Sequence, residues 1–319
     1  MRRPTKPGWT PQEEKLVKRR PLEVGKEEHM GSGVWREDTF RQYSRRVGRT
    51  VDKSGRIAGD ISNQEMFAAR TIDPMLDPKD VMRECCDTDE HPETIPVILA
   101  LDVTGSMGQA AVEVAKQLNI IMTNLYEKVK DVEFMVMGIG DFAYDRFPLQ
   151  VSQFESDIRI AEQLDKVYFE FGGGGNGYES YTAAWYFGLN HVNLDAWNRG
   201  RKGIIITMGD EGLNPYLLAE TITRVTGREV AEDVETDGLY RAVQEKYDVY
   251  HLFVNHSAAR GAYTSYIRTW EKLMDNKHFR VVKIKEVTDE IVKIVTREAG
   301  NKSLLRGRIE LPKAAGISW

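Results

Sequence analysis

One carboxylate and two hydroxyl groups stand at alternate positions directly after an apolar run of the chain. The run is residues 97–101, and the polar side chains that follow it are Asp102, Thr104 and Ser106. A short, wholly apolar run predicts a buried strand, and Gly105 predicts a turn after it. Carboxylate and hydroxyl oxygens are ligands of hard divalent cations, so this set favours Mg2+ or Mn2+ over zinc. The alternative is that Asp102 caps the following helix and that both hydroxyls bond to the backbone.

Two further polar segments follow predicted strands elsewhere in the sequence. Residues 203–208 form a second wholly apolar run that leads directly to Gly209 and Asp210, and a glycine-rich segment occupies residues 172–180. Apolar strands alternate with amphipathic helices along the chain, which predicts an α/β fold with a mainly parallel central sheet and helices on both faces. Ligands of such sheets lie beyond the carboxyl ends of the strands. We therefore expect the three segments to form one site.

The pattern Asp-x-Thr-x-Ser after an apolar strand, with a later strand ending in Asp, resembles the von Willebrand factor A domain, which has a Rossmann-like fold. In that family, a metal-ion-dependent adhesion site takes ligands from an Asp-x-Ser-x-Ser loop, from a Thr of a second loop and from an Asp of a third. The resemblance implies these first-loop and third-loop ligands: Asp102, Thr104, Ser106 and Asp210. The second loop differs, because the position of the family's Thr falls near Glu179. The resemblance therefore implies Glu179 or Asn176 as the remaining ligand, and a more negative site.

A second resemblance, to uncharacterised bacterial and phage proteins of the same superfamily, covers most of the chain from about Met30 onward. It includes the glycine-containing residues 30–35, residues 148–157, residues 172–181 and the Gly-Asp-Glu turn that follows the second apolar run. These relatives have no known activity. The resemblance therefore implies the fold and a phage association, but not a reaction.

Together these resemblances imply a protein-interaction module rather than an enzyme. A bound Mg2+ or Mn2+ would leave one coordination position for a carboxylate of a partner protein. Two other functions stay open: metal-assisted hydrolysis or a role as subunit of an ATPase complex, and a phage or virion assembly component attached through its N-terminal arm. For hydrolysis, Glu179, Asp141 or Glu211 would have to act as the base. Asp141, which follows the predicted strand 132–139, could also hydrogen-bond to groups around the metal.

Composition and charge limit the possible domain organisation of the chain. Its 319 residues, 41% hydrophobic and 29% charged, suffice for one large α/β domain with extensions. We predict a mostly irregular N-terminal arm with short helices over residues 1–90, a von Willebrand factor A domain over residues 91–300 and a tail over residues 301–319. The net charge is −5, but residues 1–60 hold 15 basic and 9 acidic side chains, and we expect this basic part of the arm to be solvated or packed on the domain rather than bound to nucleic acid.

Cysteine usage and hydropathy indicate the compartment. The two cysteines are the adjacent Cys85 and Cys86, which cannot close a useful disulfide loop and fit a reducing environment. No apolar stretch reaches the roughly 18 residues of a membrane span. We therefore predict a bacterial or phage-encoded protein of the cytoplasm, with the virion as the other location. The sequence leaves the oligomeric state open.

A nucleotide site is a competing interpretation of the glycine-rich segment. Gly172, Gly174 and Gly177 satisfy the G-x-G-x-x-G pattern of dinucleotide-binding loops. A run of four glycines fits many patterns, however, and a close approach of backbone to a metal site needs glycine as well. The D-x-D motif of another phosphoryl-transfer class is also incomplete, because Thr104 stands where its second acid belongs.

Two further features are interpreted as structural. His191, His251 and His256 are not at metal-ligand spacing from one another, and His251 lies inside a predicted strand. Asn214 followed by Pro215 predicts the start of a helix, because Asn can cap and Pro is tolerated in the first turn.

Overall fold

The computed structural model describes residues 33–170, 177–256 and 263–300. Its strands, in chain order, are β1 (Arg83–Cys85), β2 (Ile95–Asp102), β3 (Val132–Ile139), β4 (Leu149–Val151), β5 (Tyr178–Glu179), β6 (Val192–Leu194), β7 (Gly203–Gly209), β8 (Gly212–Leu213), β9 (Tyr216–Leu217), β10 (Val234–Glu235), β11 (Tyr247–Val254) and β12 (Phe279–Val282). Its α-helices are α1 (Glu37–Arg46), α2 (Asn63–Met66), α3 (Gly108–Tyr126), α4 (Arg159–Leu164), α5 (Thr182–Asn190), α6 (Asp195–Asn198), α7 (Ala219–Thr226), α8 (Thr236–Lys246), α9 (Thr264–Glu271) and α10 (Val287–Gly300). Asn176, residues 1–32 and residues 301–319 lie outside the described residues.

Six strands form the central sheet in the order β12, β11, β7, β2, β3, β4. All neighbours in it are parallel except β4, which runs antiparallel to β3 at the edge. Every residue of β2, β3 and β7 is buried, because both faces of the sheet are covered, and this explains why their sequences are nearly continuous apolar runs. The predicted α/β fold with a mainly parallel sheet is confirmed.

Helices cover the two faces of this sheet in pairs. Helices α3 and α10 pack together on one face, and α5 and α8 pack together on the other. Leu118 and Met122 of α3 join the apolar cluster on the first face, and Trp185 and Phe187 of α5 join the cluster on the second. The strand ends are therefore held in fixed relative positions by a layer on each side. None of the described helices combines the length and the apolar character needed to cross a membrane.

The described part of the predicted N-terminal arm packs on this sheet domain. The Trp35 indole N–H donates to Asn119 Oδ1 at 3.0 Å. The Tyr43 hydroxyl donates to Asp165 Oδ2 at 2.6 Å, and Arg49 forms an ion pair with the same carboxylate at 2.7 Å. These contacts join residues far apart in sequence, so the segment before β1 is part of the packed structure.

The interpretation of Asn214 and Pro215 as a helix start is wrong. Helix α7 begins only at Ala219, because two short strands, β8 and β9, come first. The Asn214 amide instead donates to Thr182 Oγ1 at 2.6 Å and to the Tyr216 carbonyl at 3.1 Å. It thereby ties this connection to the start of α5.

Candidate metal centre

Asp102 is the last residue of β2, and its side chain is fully buried. Its Oδ1 accepts hydrogen bonds from the Thr104 backbone N–H at 2.9 Å and from the Thr104 hydroxyl at 2.6 Å. The alternative that Asp102 caps the following helix and that both hydroxyls bond to the backbone is wrong, because α3 has no side-chain cap and the Thr104 and Ser106 hydroxyls donate to carboxylates. Its Oδ2 accepts one from the Tyr181 hydroxyl at 2.7 Å. Burial, together with the negative charge of Asp210, raises the pKa of Asp102, although these hydrogen bonds act in the opposite direction.

Ser106 joins the Asp102 loop to the end of the neighbouring strand. Its hydroxyl donates to Asp210 Oδ1 at 2.9 Å and lies 3.4 Å from the Thr104 hydroxyl. Asp210 directly follows β7, which pairs in parallel with β2. The two strands end side by side, so the structure brings four of the predicted ligands into one continuous row of contacts: Asp102, Thr104, Ser106 and Asp210.

Glu179 lies in β5, which pairs in parallel with β8 just beyond Asp210. The Glu179 side chain is buried, and its Oε2 has no hydrogen-bond partner among the described residues. Burial raises the pKa of Glu179, and the negative charges of Asp102 and Asp145 raise it further. A buried carboxylate oxygen without a partner is costly, so it needs a proton or a cation.

Tyr181 connects two strand ends, and the sequence reasoning did not select it. Its buried hydroxyl donates to Asp102 Oδ2 and accepts from the Glu211 backbone N–H at 3.2 Å. A Cβ atom on Gly209 would lie 1.9 Å from this hydroxyl, so only glycine leaves room for the contact. A glycine at position 209 could have suggested a close approach from the sequence, but it does not indicate which side chain approaches.

His256 and Tyr263 contact the other oxygen of Asp210. His256 Nε2 lies 2.9 Å from Asp210 Oδ2, and the Tyr263 hydroxyl donates to the same oxygen at 3.4 Å. His256 follows the carboxyl end of β11, so the strand-end rule that selected Asp102 could have found it. His256 was set aside because of its spacing from the other histidines, and that spacing does not indicate whether it contacts Asp210.

Asp141 and Glu211, the other acids named from the sequence, lie around the same strand ends. Asp141 Oδ1 accepts the Ala143 backbone N–H at 2.7 Å, which is the contact of a turn-capping residue. Its charge is nevertheless one of those that raise the pKa of Glu179. Burial, followed by the charge of Asp210, raises the pKa of Glu211 to about 7.

His251, which was interpreted as structural from the sequence, stacks on Trp270 with ring centroids 3.5 Å apart, as a core histidine does.

The chemistry of the donor set fits a hard divalent cation. It consists of oxygen atoms alone, from the carboxylates of Asp102, Asp210 and Glu179 and the hydroxyls of Thr104 and Ser106. Within residues 33–170, 177–256 and 263–300, no three His, Cys, Asp or Glu side chains are arranged as a metal-binding group. The two hydroxyls would therefore have to supply part of the ligand set, and the unpartnered Oε2 of Glu179 is a further available donor.

No protein-family model and no curated protein matches the chain. Among solved structures, the pilus adhesin SpaC from Lactobacillus rhamnosus GG, in its open conformation, matches with a TM-score of 0.43 and 13% identity over 69% of this chain and 31% of that one. The vWF domain of the type V pili tip protein Mfa5 from Porphyromonas gingivalis matches with a TM-score of 0.40 and 11% identity over 68% and 98% of the two chains. Proximal thread matrix protein 1 from the mussel byssus matches with a TM-score of 0.39 and 14% identity over 65% and 46%. The chain spans about a third of the length of SpaC.

Proposed function

We propose that the chain is a protein-interaction module whose binding depends on a divalent cation, Mg2+ or Mn2+. The proposed ligands are Asp102, Thr104, Ser106 and Asp210. The observation that carries the proposal is the row of contacts that joins these four side chains where β2 and β7 end next to each other. These contacts support a shared site with oxygen donors from two loops, which is the arrangement that the resemblance to the von Willebrand factor A domain implies.

Glu179 is a further candidate donor beside the four proposed ligands, although its carboxylate would have to move to join those of Asp102 and Asp210 on one ion. Its buried Oε2 has no hydrogen-bond partner among the described residues, so a cation would supply the interaction that this oxygen lacks. The negative charge of Glu179 strengthens the attraction for a cation, and the cation in turn offsets the negative field that a partner's carboxylate would meet. Asn176, the other candidate for this position, lies outside the described residues.

A bound cation would offer one coordination position to an oxygen atom of the partner, and its charge selects an acidic side chain. The chain's own residues prepare the site for this. Asp102 and Asp210 supply opposite charge at two neighbouring strand ends. Tyr181 fixes the orientation of Asp102 through its hydrogen bond at 2.7 Å. The resulting affinity for an acidic partner should be lost when the cation is removed.

Affinity capture with the immobilised full chain tests the proposal. We expect a partner protein to be retained from a lysate of the encoding cells in Mg2+, to be released by a chelator, and not to be retained by the Asp210→Asn variant. Asp275→Asn is the matched control, because Asp275 is an exposed acid paired locally with His278. Retention that is equal with and without chelator, or equal for Asp210→Asn and wild type, would contradict the proposal.

Metal-assisted hydrolysis is the second candidate, because one observation favours it. His256 is 27% exposed and lies 2.9 Å from Asp210, an arrangement that can orient an imidazole as a general base. Turnover of a phosphoester by the purified chain in Mg2+, lost in His256→Ala, would support hydrolysis. Absence of turnover together with chelator-sensitive capture would support the binding function.

A further inference from the structure

A second surface feature is positively charged, in contrast to the carboxylate-rich candidate metal centre. A hollow of about 180 Å³ lies between the segment before β1, the loop that joins β3 to β4, and helix α7. Its charged lining residues are Lys79, Arg146, Arg224 and Asp77, and Phe147 with Pro148 forms part of its apolar wall. We call this feature the basic hollow.

The three cations of the basic hollow have no carboxylate partners in the described part of the chain, where ion pairs are made by other residues. All three side chains are exposed. The Arg146 guanidinium lies over the Phe147 ring, 4.9 Å from its centroid, so it is held at the wall of the hollow. Asp77, the one acid in the lining, accepts the Lys79 backbone N–H at 3.0 Å. Among the lining residues, three positive charges therefore stand against one negative charge, on a chain with a net charge of −5.

The backbone around the basic hollow disfavours a phosphate group as its ligand. Phosphate sites commonly use free backbone N–H groups at the N-terminus of a helix. Here the N–H groups of Arg146 and Phe147 already donate to Glu170 Oε1, at 3.1 and 3.0 Å. Arg224 stands in the last turn of α7, at the negative end of the helix dipole. The attraction for an anion therefore comes from side chains alone.

The size and lining of the basic hollow favour carboxylates on a peptide. Guanidinium groups pair with carboxylates through two parallel hydrogen bonds, and three cations from separate segments can engage several acids of one extended chain. The volume is below the roughly 300 Å³ at which pockets for small organic ligands begin. The wall formed by Phe147 and Pro148 can accept one apolar side chain. Residues 1–32 and 301–319 of this chain contain more Lys and Arg than Asp and Glu, so they do not match the hollow.

We infer that the basic hollow binds an acidic peptide segment of another molecule, with its carboxylates paired to Lys79, Arg146 and Arg224. This binding uses no residue of the candidate metal centre and requires no cation. It therefore goes beyond the proposed function and is independent of it.

Fluorescence polarisation with a labelled peptide of ten glutamates around one central phenylalanine tests the inference on the full chain. The titration is done in EDTA, so that the candidate metal centre cannot contribute. We expect the double variant Arg146→Glu with Arg224→Glu to bind about tenfold more weakly than wild type, because two attractions become repulsions. Arg241→Glu with Lys285→Glu is the matched control, since it makes the same change of charge at two other exposed sites. The control should bind as wild type does.

Three results would overturn the inference. The first is equal affinity of the double variant and wild type, and the second is an equal loss in the control, which would indicate a response to net charge alone. The third is displacement of the peptide by inorganic phosphate at an ionic strength where sodium chloride does not displace it, which would assign the hollow to phosphate. A failure of the proposed function can be distinguished from these three results. In that case the capture of a partner would not respond to chelator, while the peptide titration in EDTA would still show weaker binding by the double variant.

Discussion

Two clusters of buried carboxylates in this protein balance their negative charge in different ways. One is the candidate metal centre, and the other, here the Glu133 cluster, consists of Glu133, Glu155, Arg159 and Cys85. Glu155 forms an ion pair with Arg159 at 3.0 Å. The Cys85 thiol donates to Glu133 Oε2 at 3.2 Å. Burial raises the pKa of Glu133 to about 7, while the thiol hydrogen bond and the charges of His91 and Arg159 oppose that rise.

Among the described residues, the candidate metal centre has no Lys or Arg that plays the role of Arg159. In the part of the chain that the structure describes, no Lys or Arg forms an ion pair with Asp102, Glu179 or Asp210, and His256 is the basic side chain in contact with Asp210. Buried carboxylates without a positive partner are strongly unfavourable. Each cluster holds a buried carboxylate oxygen without a hydrogen-bond partner among the described residues, Glu133 Oε1 and Glu179 Oε2. The Glu133 cluster differs in having Arg159 beside its carboxylates, whereas the centre would have to take a positive charge from solution.

The largest effect is expected from removing the internal cation of the Glu133 cluster. Arg159→Met removes the cation that pairs with the buried Glu155 and with Asp157. Glu155 keeps the hydrogen bond from Gln163 but loses this ion pair, and we expect the free energy of unfolding to fall by about 4 kcal/mol in urea denaturation. Arg46→Met is the control, because it breaks the exposed pair with Glu162 and should cost less than about 1 kcal/mol. If Arg159→Met costs no more than this control, the Glu133 cluster is not balanced by Arg159.

The pH dependence of stability sharpens the same contrast. Because the folded-state pKa of Glu133 is about 7 and its ordinary value is 4.5, the folded chain holds the Glu133 proton more tightly than the unfolded chain does. The contribution to stability is therefore fully present below pH 4.5 and is lost as the pH rises through 7. We expect a loss of about 3 kcal/mol across this window. Urea denaturation at pH 5 and pH 8 measures it. In Glu133→Gln this part of the pH dependence should disappear, and an unchanged pH dependence in that variant would contradict the assignment.

A smaller effect is expected at the candidate metal centre from Glu179→Gln. Gln is a neutral isostere of the protonated carboxyl group that the raised pKa of Glu179 favours in the metal-free chain, so we expect no loss of stability in the absence of metal. Cation affinity should fall about tenfold, because one negative donor is lost. Isothermal titration with Mn2+ and urea denaturation in EDTA measure the two quantities. If Glu179→Gln is less stable than wild type in EDTA but binds Mn2+ with the same affinity, Glu179 has a structural role.

Apolar runs were sufficient to predict the elements that position this centre. Residues 97–101 and 203–208 became adjacent strands, and the rule that ligands lie at strand ends placed Asp102 and Asp210 in the same region. The contact of Tyr181 with Asp102 could not be predicted in this way, since it depends on how α5 packs against the strand ends. The burial of Glu179 depends likewise on the pairing of β5 with β8, two short strands with no periodic pattern. Asn214 shows the converse, because a local capping signal was overridden by a tertiary contact with Thr182 and a turn contact with Tyr216.

The central claim is that the centre takes a cation from solution, and electron paramagnetic resonance of Mn2+ titrated into the metal-free chain tests it most directly. We predict that wild type removes a single equivalent of free Mn2+ per chain, that Mg2+ displaces it, and that Asp102→Asn abolishes the uptake. A signal of free Mn2+ that rises identically for wild type, for Asp102→Asn and for buffer would contradict the claim.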